Sequence, residues 1–157
     1  MIKCDKKVKV LIPFLVFIVG VCQAQKPMHA LGYNTLKKYV NYFNAIDTEA
    51  VKNFVPNSQS FDWLSKNIPL FECPDTTLQR MYYYRWWSFR KHLVKTPDGF
   101  VFTEFIIPVK FAGVYNTISS ALGHQSNEGR GLHNQEYIKD YISFWLYTVP
   151  KQTKPHF

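Results

Sequence analysis

The chain has 157 residues, 17% of them aromatic, and a formal charge of +8. Its basic residues are scattered outside the first ten positions, and nothing resembles the dense cluster that a nucleic-acid surface needs. There are no internal repeats and no low-complexity segments, so the chain reads as one moderate-sized domain with its own core.

The first element is an export signal. Lys3, Lys6, Lys7 and Lys9 form a basic start, "VLIPFLVFIVGVC" is a short apolar core, and "CQA" is a small-x-small cleavage site before Gln25. The alternatives are an uncleaved anchor and a lipidated Cys22. The apolar run falls short of the ~20 residues of a spanning helix, and bulky Val21 stands where a lipidated cysteine wants a small neighbour. Residues 1–24 are therefore expected to be a signal peptide, giving a periplasmic or extracellular protein without a stable membrane span. Their removal takes four of the 19 Lys+Arg and one of the 11 Asp+Glu, leaving +5. Only Cys73 stays, so no intramolecular disulfide is expected.

"NTLKKYVNYFNAI" carries Leu36, Val40, Phe43 and Ile46 at helical spacing. In "DTEAVKNFVP" Asp47 is a candidate N-cap for a second helix, ended by Pro56. "NSQS" reads as a loop, and "FDWLSKNIPLFECP" as a short helix followed by extended chain. The next helix starts at Asp75 or Thr76, where Thr76 and Gln79 fit a capping box. Leu78, Tyr82, Trp86, Phe89 and Leu93 form its apolar stripe, and Trp87 and Arg90 lie off it to meet a second surface. Arg85 lies on the flank of that stripe, about 60° from its centre. A guanidinium there must find a carboxylate or a wet cavity. A core-margin salt bridge and a ligand contact are both open.

"TPDG" is a tight turn. "FVFTEFII" follows as extended chain, with Glu104 on the face of Phe100, Phe102 and Ile106 by alternation. That carboxylate is a candidate partner for Arg85 or for a sugar hydroxyl. The final helix, "NQEYIKDYISFWLY", is capped by Asn134 and has a broad apolar face of Tyr137, Ile138, Tyr141, Ile142, Trp145 and Leu146. The elements predict a mainly α fold with one short β excursion near residues 100–107.

Between them, "FAGVYNTISSALGHQSNEGRG" is small, polar and ionisable, with neither a helical nor an alternating beat. His124, Glu128 and His133 lack a paired-His metal motif, and no metal or other cofactor is expected. Ser119, Ser120 and His124 lack the G-x-S-x-G turn of an exposed nucleophile. A polyol site needs carboxylates and guanidinium groups for vicinal hydroxyls, amides that donate and accept, and aromatics for C–H faces. Tyr115, Asn116, Thr117, His124, Glu128 and Arg130 supply that chemistry. A self-bonded loop is the alternative.

"NIPLFECPD", "YYYRWWSFRKHLVKTPDGFVFTEF" and "AGVYNTISSALGHQSNEGRGLHNQEYIKDYISFW" together resemble the front part of exported bacterial glycoside hydrolases with an (α/α)6 toroid. These are relatives of the mannosylglycerate-hydrolase-like and family 63 inverting glycosidases of the six-hairpin superfamily. The matching positions include Tyr83, Arg85, Trp86, Trp87, Arg90 and His92, then Ala112, Gly113, Tyr115, Asn116, Thr117 and Ile118, then Gly123, His124, Glu128, Gly129 and Arg130. Phe111, Gln125 and Gly131 depart from the pattern, standing in place of Trp, His and Trp. The resemblance implies a carbohydrate partner, with Arg85, Trp86, Glu104, Tyr115, Asn116, Thr117, His124, Glu128 and Arg130 binding it.

A complete toroid has twelve helices, and an inverting glycosidase needs two carboxyl groups about 6.5–9.5 Å apart. The chain is accordingly expected to be a partial toroid over residues 25–147, without the catalytic pair, followed by an unstructured tail at 148–157 from a frameshift or truncation. The alternatives are an exported non-catalytic glycan-binding or interaction protein and a non-functional gene remnant. Open helix faces are expected to favour self-association.

Overall fold

The computed structural model describes residues 31–149. The expected signal peptide, its cleavage site and residues 150–157 lie outside the described residues. Leu36, Tyr39, Val40 and Phe43 recur three and four apart and form the buried face of α1 (Asn34–Ile46). Ile46, expected on that face, is exposed at the helix end.

The second expected helix does not form: residues 47–56 are irregular. Asp47 caps nothing. Its Oδ2 accepts from Lys91 Nζ at 2.6 Å and from Asn57 Nδ2 at 2.7 Å, and Glu49 adopts a left-handed φ of 48°. A charged tertiary partner, Lys91, together with the Asn57 amide outcompetes a cap worth ~1 kcal/mol. Burial works to raise the Asp47 pKa, but its bonds to Lys91 and Asn57 outweigh that and hold it below the usual carboxylate value. "NSQS" is no plain loop either: a 3-10 turn at Asn57–Gln59 leads directly into α2 (Ser60–Asn67).

After an extended stretch, α3 (Thr76–Phe89) begins at Asp75, whose carboxylate accepts from the amides of Thr77 and Leu78. The cap is therefore Asp75, so Thr76 and Gln79 do not make a capping box. Consecutive tyrosines tie α3 to the chain before it. Tyr82 Oη donates to the Pro69 carbonyl at 2.7 Å, and Tyr83 Oη bonds both the carbonyl and the amide of Phe71. The buried row is Tyr83, Trp86, Trp87 and Phe89, while Leu78 is exposed. The stripe is thus rotated toward α1, where Tyr39 stacks on Tyr83 and Phe43 packs on Trp87.

Trp87, expected off the stripe, belongs to the buried row against α1, whereas Arg90 meets a second surface as its position implied. Arg90 donates to the Val55 carbonyl at 2.6 Å and to Asn57 Oδ1, and lies 5.0 Å from the Trp87 ring. Burial lowers its pKa to about 10, which leaves it charged at neutral pH. A 3-10 turn at Arg90–His92 then leads into β1 (Leu93–Thr96), paired antiparallel with β2 (Gly99–Phe102) in the register Leu93↔Phe102 to Thr96↔Gly99.

The "TPDG" reversal is a two-residue hairpin loop. Gly99 has a φ of 101°, and a Cβ there would stand 2.8 Å from Asp140 Oδ2, so both backbone and space require glycine. The strand is shorter than expected, ending at Phe102, and its partner is the stretch that follows α3. The hairpin packs between α3 and α5 (Glu136–Ser143), with Phe102 stacked on Phe89 and edge-on to Tyr141.

α4 (Leu122–Gly129) crosses α5 at Gly129. Asn134 Oδ1 accepts from the Glu136 amide at the start of α5. The buried face of α5 is narrower than expected: Tyr137, Ile138 and Tyr141 are buried, whereas Ile142 and Leu146 are exposed. A π-helical turn at Phe144–Thr148 re-phases the last residues, burying Phe144 and leaving Trp145 half-buried. Helical structure thus runs on past residue 147. The fold is mainly helical with one two-stranded sheet. Among the described residues no helix is long and apolar enough to cross a membrane.

Candidate functional site

Successive turns of α3 bring Arg85, Ser88 and Phe89 onto one side, and the 3-10 turn adds His92 at i+7 from Arg85. α4 faces them with His124, Gln125 and Glu128, at i, i+1 and i+4. Glu104, two residues past β2, closes the third side. These eight residues line an open cavity of about 190 Å³.

Arg85 and Glu128 span it: one Nη lies 2.6 Å from Glu128 Oε2, linking α3 to α4. The Arg85 side chain is 64% exposed, so solvent limits the pair to at most ~1 kcal/mol of stability. What the contact fixes is orientation. Gln125 anchors the floor. Its Nε2 donates to the Thr103 carbonyl at 3.0 Å and toward Glu104 Oε2 at 3.4 Å, while its Oε1 accepts from Tyr141 Oη at 2.5 Å. The core helix α5 is thereby connected to the cavity through a buried amide.

His92 has a defined tautomer. Its Nδ1 lies 2.8 Å from the Thr103 carbonyl, which can only accept, so Nδ1 carries the hydrogen and Nε2 keeps its lone pair. Burial lowers the His92 pKa, outweighing the bond to Thr103 and the nearby Glu104. The sign for stability follows. Above the ordinary imidazole pKa of about 6.5 the ring is neutral in both folded and unfolded chains. Below it the unfolded chain takes up a proton that the folded one resists, so stability falls as pH drops toward the folded pKa. Urea unfolding is expected to show less stability at pH 5 than at pH 7.5. In His92→Asn, whose amide replaces the Nδ1–H donor, that slope should flatten. An unchanged slope would remove His92 as its source.

Of the residues singled out from sequence, Arg85, Glu104, His124 and Glu128 come together here. Trp86, Tyr115, Asn116, Thr117 and Arg130 do not line this cavity. Trp86 is buried, edge-on to Phe89 and against Gly131. Tyr115 donates to Asp98 at 2.7 Å and packs on Phe144. Thr117 is buried and donates to the Val114 carbonyl. Arg130 is exposed just past α4. Asn116 works as a clamp: its Nδ2 donates to the Phe105 carbonyl, its Oδ1 accepts from the Val109 amide, and its own carbonyl accepts from the Glu104 amide.

Tyr115 and Asn116 hold successive left-handed φ values of 56° and 57°, a strained pair that this clamp maintains. The polar stretch therefore divides. Its first half is a self-bonded loop, and its second half contains α4, a helix that faces the cavity.

Ser88, Phe89, His92 and Gln125 line the cavity without having been singled out as site residues. The i, i+3, i+4, i+7 spacing from Arg85 carried a signal for the first three. Gln125 had none, because its partners come from residues 103, 104 and 141. Glu104 reaches the cavity beyond the end of β2, so strand alternation with Phe100 and Phe102 does not place it. Among the described residues no group of three or more His, Cys, Asp or Glu is placed to hold a metal. His133 lies apart, with Nδ1 on the Lys66 carbonyl.

No protein-family model matches the chain, and no curated protein matches it. A solved structure named "Sialidase" is 40% identical to it, with a TM-score of 0.71 over 73% of this chain. The match covers 11% of that structure, so this chain spans about a tenth of its length.

Proposed function

We propose that this chain supplies part of the sugar-binding surface of a glycoside hydrolase. The observation that carries the reading is the 40% identity to a sialidase over most of the described fold, joined to a cavity rich in carboxylate, guanidinium, imidazole and amide groups. Carboxylates and a guanidinium suit vicinal hydroxyls, and Phe89 adds an apolar wall. At about 190 Å³ the cavity is smaller than a drug-sized pocket, so it suits one sugar ring rather than an oligosaccharide.

Binding is favoured over bond cleavage within this chain. Glu128 Oε2 is committed to Arg85 at 2.6 Å, which ties this carboxylate to a positioning contact. The acid and base of an inverting reaction are assigned to other helices of a larger (α/α)6 toroid, as in mannosylglycerate-hydrolase-like and family 63 enzymes. The reading includes export, with cleavage between Ala24 and Gln25, which N-terminal sequencing of the secreted protein tests. It also includes self-association through exposed Leu78, Met81 and Tyr84 on α3, tested by sedimentation.

Titration of the chain with monosaccharides, followed by NMR, should perturb resonances of α4 and the end of α3. Aryl glycosides should not be turned over above background. Absence of any sugar-dependent shift would remove the binding reading. Turnover abolished by Glu104→Gln or Glu128→Gln would instead place a catalytic pair here.

A further inference from the structure

The hydrogen-bonding groups around the cavity are unequally used. One Nη of Arg85 is engaged with Glu128, the Gln125 amide donates to the Thr103 carbonyl, and the Ser88 hydroxyl donates to the Arg85 carbonyl. His92 Nδ1–H is likewise spent on the Thr103 carbonyl. Apart from the other N–H groups of Arg85, what remains is acceptor: the Glu104 carboxylate, the second Glu128 oxygen, the Ser88 oxygen and His92 Nε2. His124, on the exposed side, brings one donor and one acceptor when neutral.

Charge runs the same way. Arg85 and Glu128 neutralise each other, whereas Glu104 takes part in none of the ion pairs among the described residues. Its Oε2 accepts from a neutral amide, Gln125 Nε2, at 3.4 Å.

We propose that this cavity selects a sugar bearing a protonated amino group, an amino sugar, over its neutral and anionic counterparts. The inference rests on the carbohydrate reading above and names the substrate class for it. An ammonium has three donors and no acceptor, which suits the acceptors of Glu104, Ser88 and His92. Glu104 supplies the opposing charge, and the lone pairs of Ser88 and His92 receive the other hydrogens. A sugar carboxylate meets the reverse situation: to reach Arg85 it must enter a cavity lined by Glu104 and Glu128, so like charges face one another.

The test uses the full chain at pH 7 and low ionic strength, titrated by NMR or calorimetry. The probes are hexosamines in gluco, galacto and manno configurations, their N-acetyl derivatives, the parent hexoses and the matching uronic acids. In the best-bound configuration the hexosamine should bind about three- to tenfold tighter than its N-acetyl derivative and parent hexose. The uronic acid should bind most weakly, and the preference should shrink in 0.5 M salt. Glu104→Gln should bring hexosamine and hexose to nearly equal affinity. If that variant does not fold, the N-acetyl comparison and salt series on the native chain decide.

Equal affinity for hexosamine and hexose, or tighter binding of the uronic acid, overturns this inference and leaves the carbohydrate reading standing. Binding of none of the sugars overturns both.

Discussion

Replacing Arg90 with Ala is expected to cost about 3–4 kcal/mol of folding stability, the largest effect of any single side chain near α3. Arg90 is 1% exposed and closes the junction between α3, the irregular stretch after α1 and the start of the hairpin. Truncation removes the donors to the Val55 carbonyl and Asn57 Oδ1, both then short of a partner, and leaves a void beneath Trp87. Arg90 Nε is buried without a partner, so the native side chain already carries a desolvation cost that trims the loss. Arg90→Met keeps most of the packing and loses the donors, so it should cost less than Ala, about 2–3 kcal/mol. Urea denaturation at pH 7 measures both. A loss under 1 kcal/mol for Ala would mean that water replaces the guanidinium freely.

Gly129→Ala is expected to destabilise the fold by about 1–3 kcal/mol and to weaken sugar binding as well. A Cβ at this position would stand 2.1 Å from Ile138 Cδ1, 3.0 Å from its Cγ1 and 3.2 Å from Phe89 Cζ. Alanine in a helix normally gains up to ~1 kcal/mol over glycine. Here the clash with a side chain that is itself buried outweighs that gain, and α4 must move away from α5. Glu128 is the adjacent residue, so the displacement acts on its contact with Arg85. Ile138→Val removes the methyl that is met first. The double variant Gly129→Ala/Ile138→Val should therefore be more stable than the sum of the single effects, by about 1 kcal/mol in a double-mutant cycle. Strict additivity would show that α4 accommodates the Cβ by another route.

Both effects arise where elements distant in sequence meet, and the cavity is built in the same way. That Arg85 must be paired was legible beforehand, because a guanidinium on the flank of an apolar helix stripe needs a carboxylate, but only the fold decides for Glu128 over Glu104. The floor of the cavity was not legible. Gln125 looked like a departure from a familiar pattern, and its role comes from Thr103, Glu104 and Tyr141 converging on one amide. Asn116 and Tyr115 were read as ligand-facing because amides and phenols suit sugars. They instead hold the loop that sets the Glu104 backbone. Side-chain chemistry indicates what a residue can bond, whereas only geometry decides whether backbone or ligand receives it.

The sequence by itself determined the elements whose signals are local: the periodic face of α1, the start of α3 at Asp75 or Thr76, the Pro97–Asp98 hairpin turn and the helix after Asn134. Each rests on spacing of a few residues, on a cap or on a turn that needs nothing beyond its neighbours. The tertiary structure decided what depended on distant partners. Asp47 left its capping role for Lys91 and Asn57, β2 stopped at Phe102 because its partner strand has only four residues, and the polar stretch split between a clamped loop and a cavity-facing helix. For Asp47 a charged contact across the fold outweighed a local preference of about 1 kcal/mol, and for β2 and the polar stretch the partners lie on other elements that local spacing does not reveal.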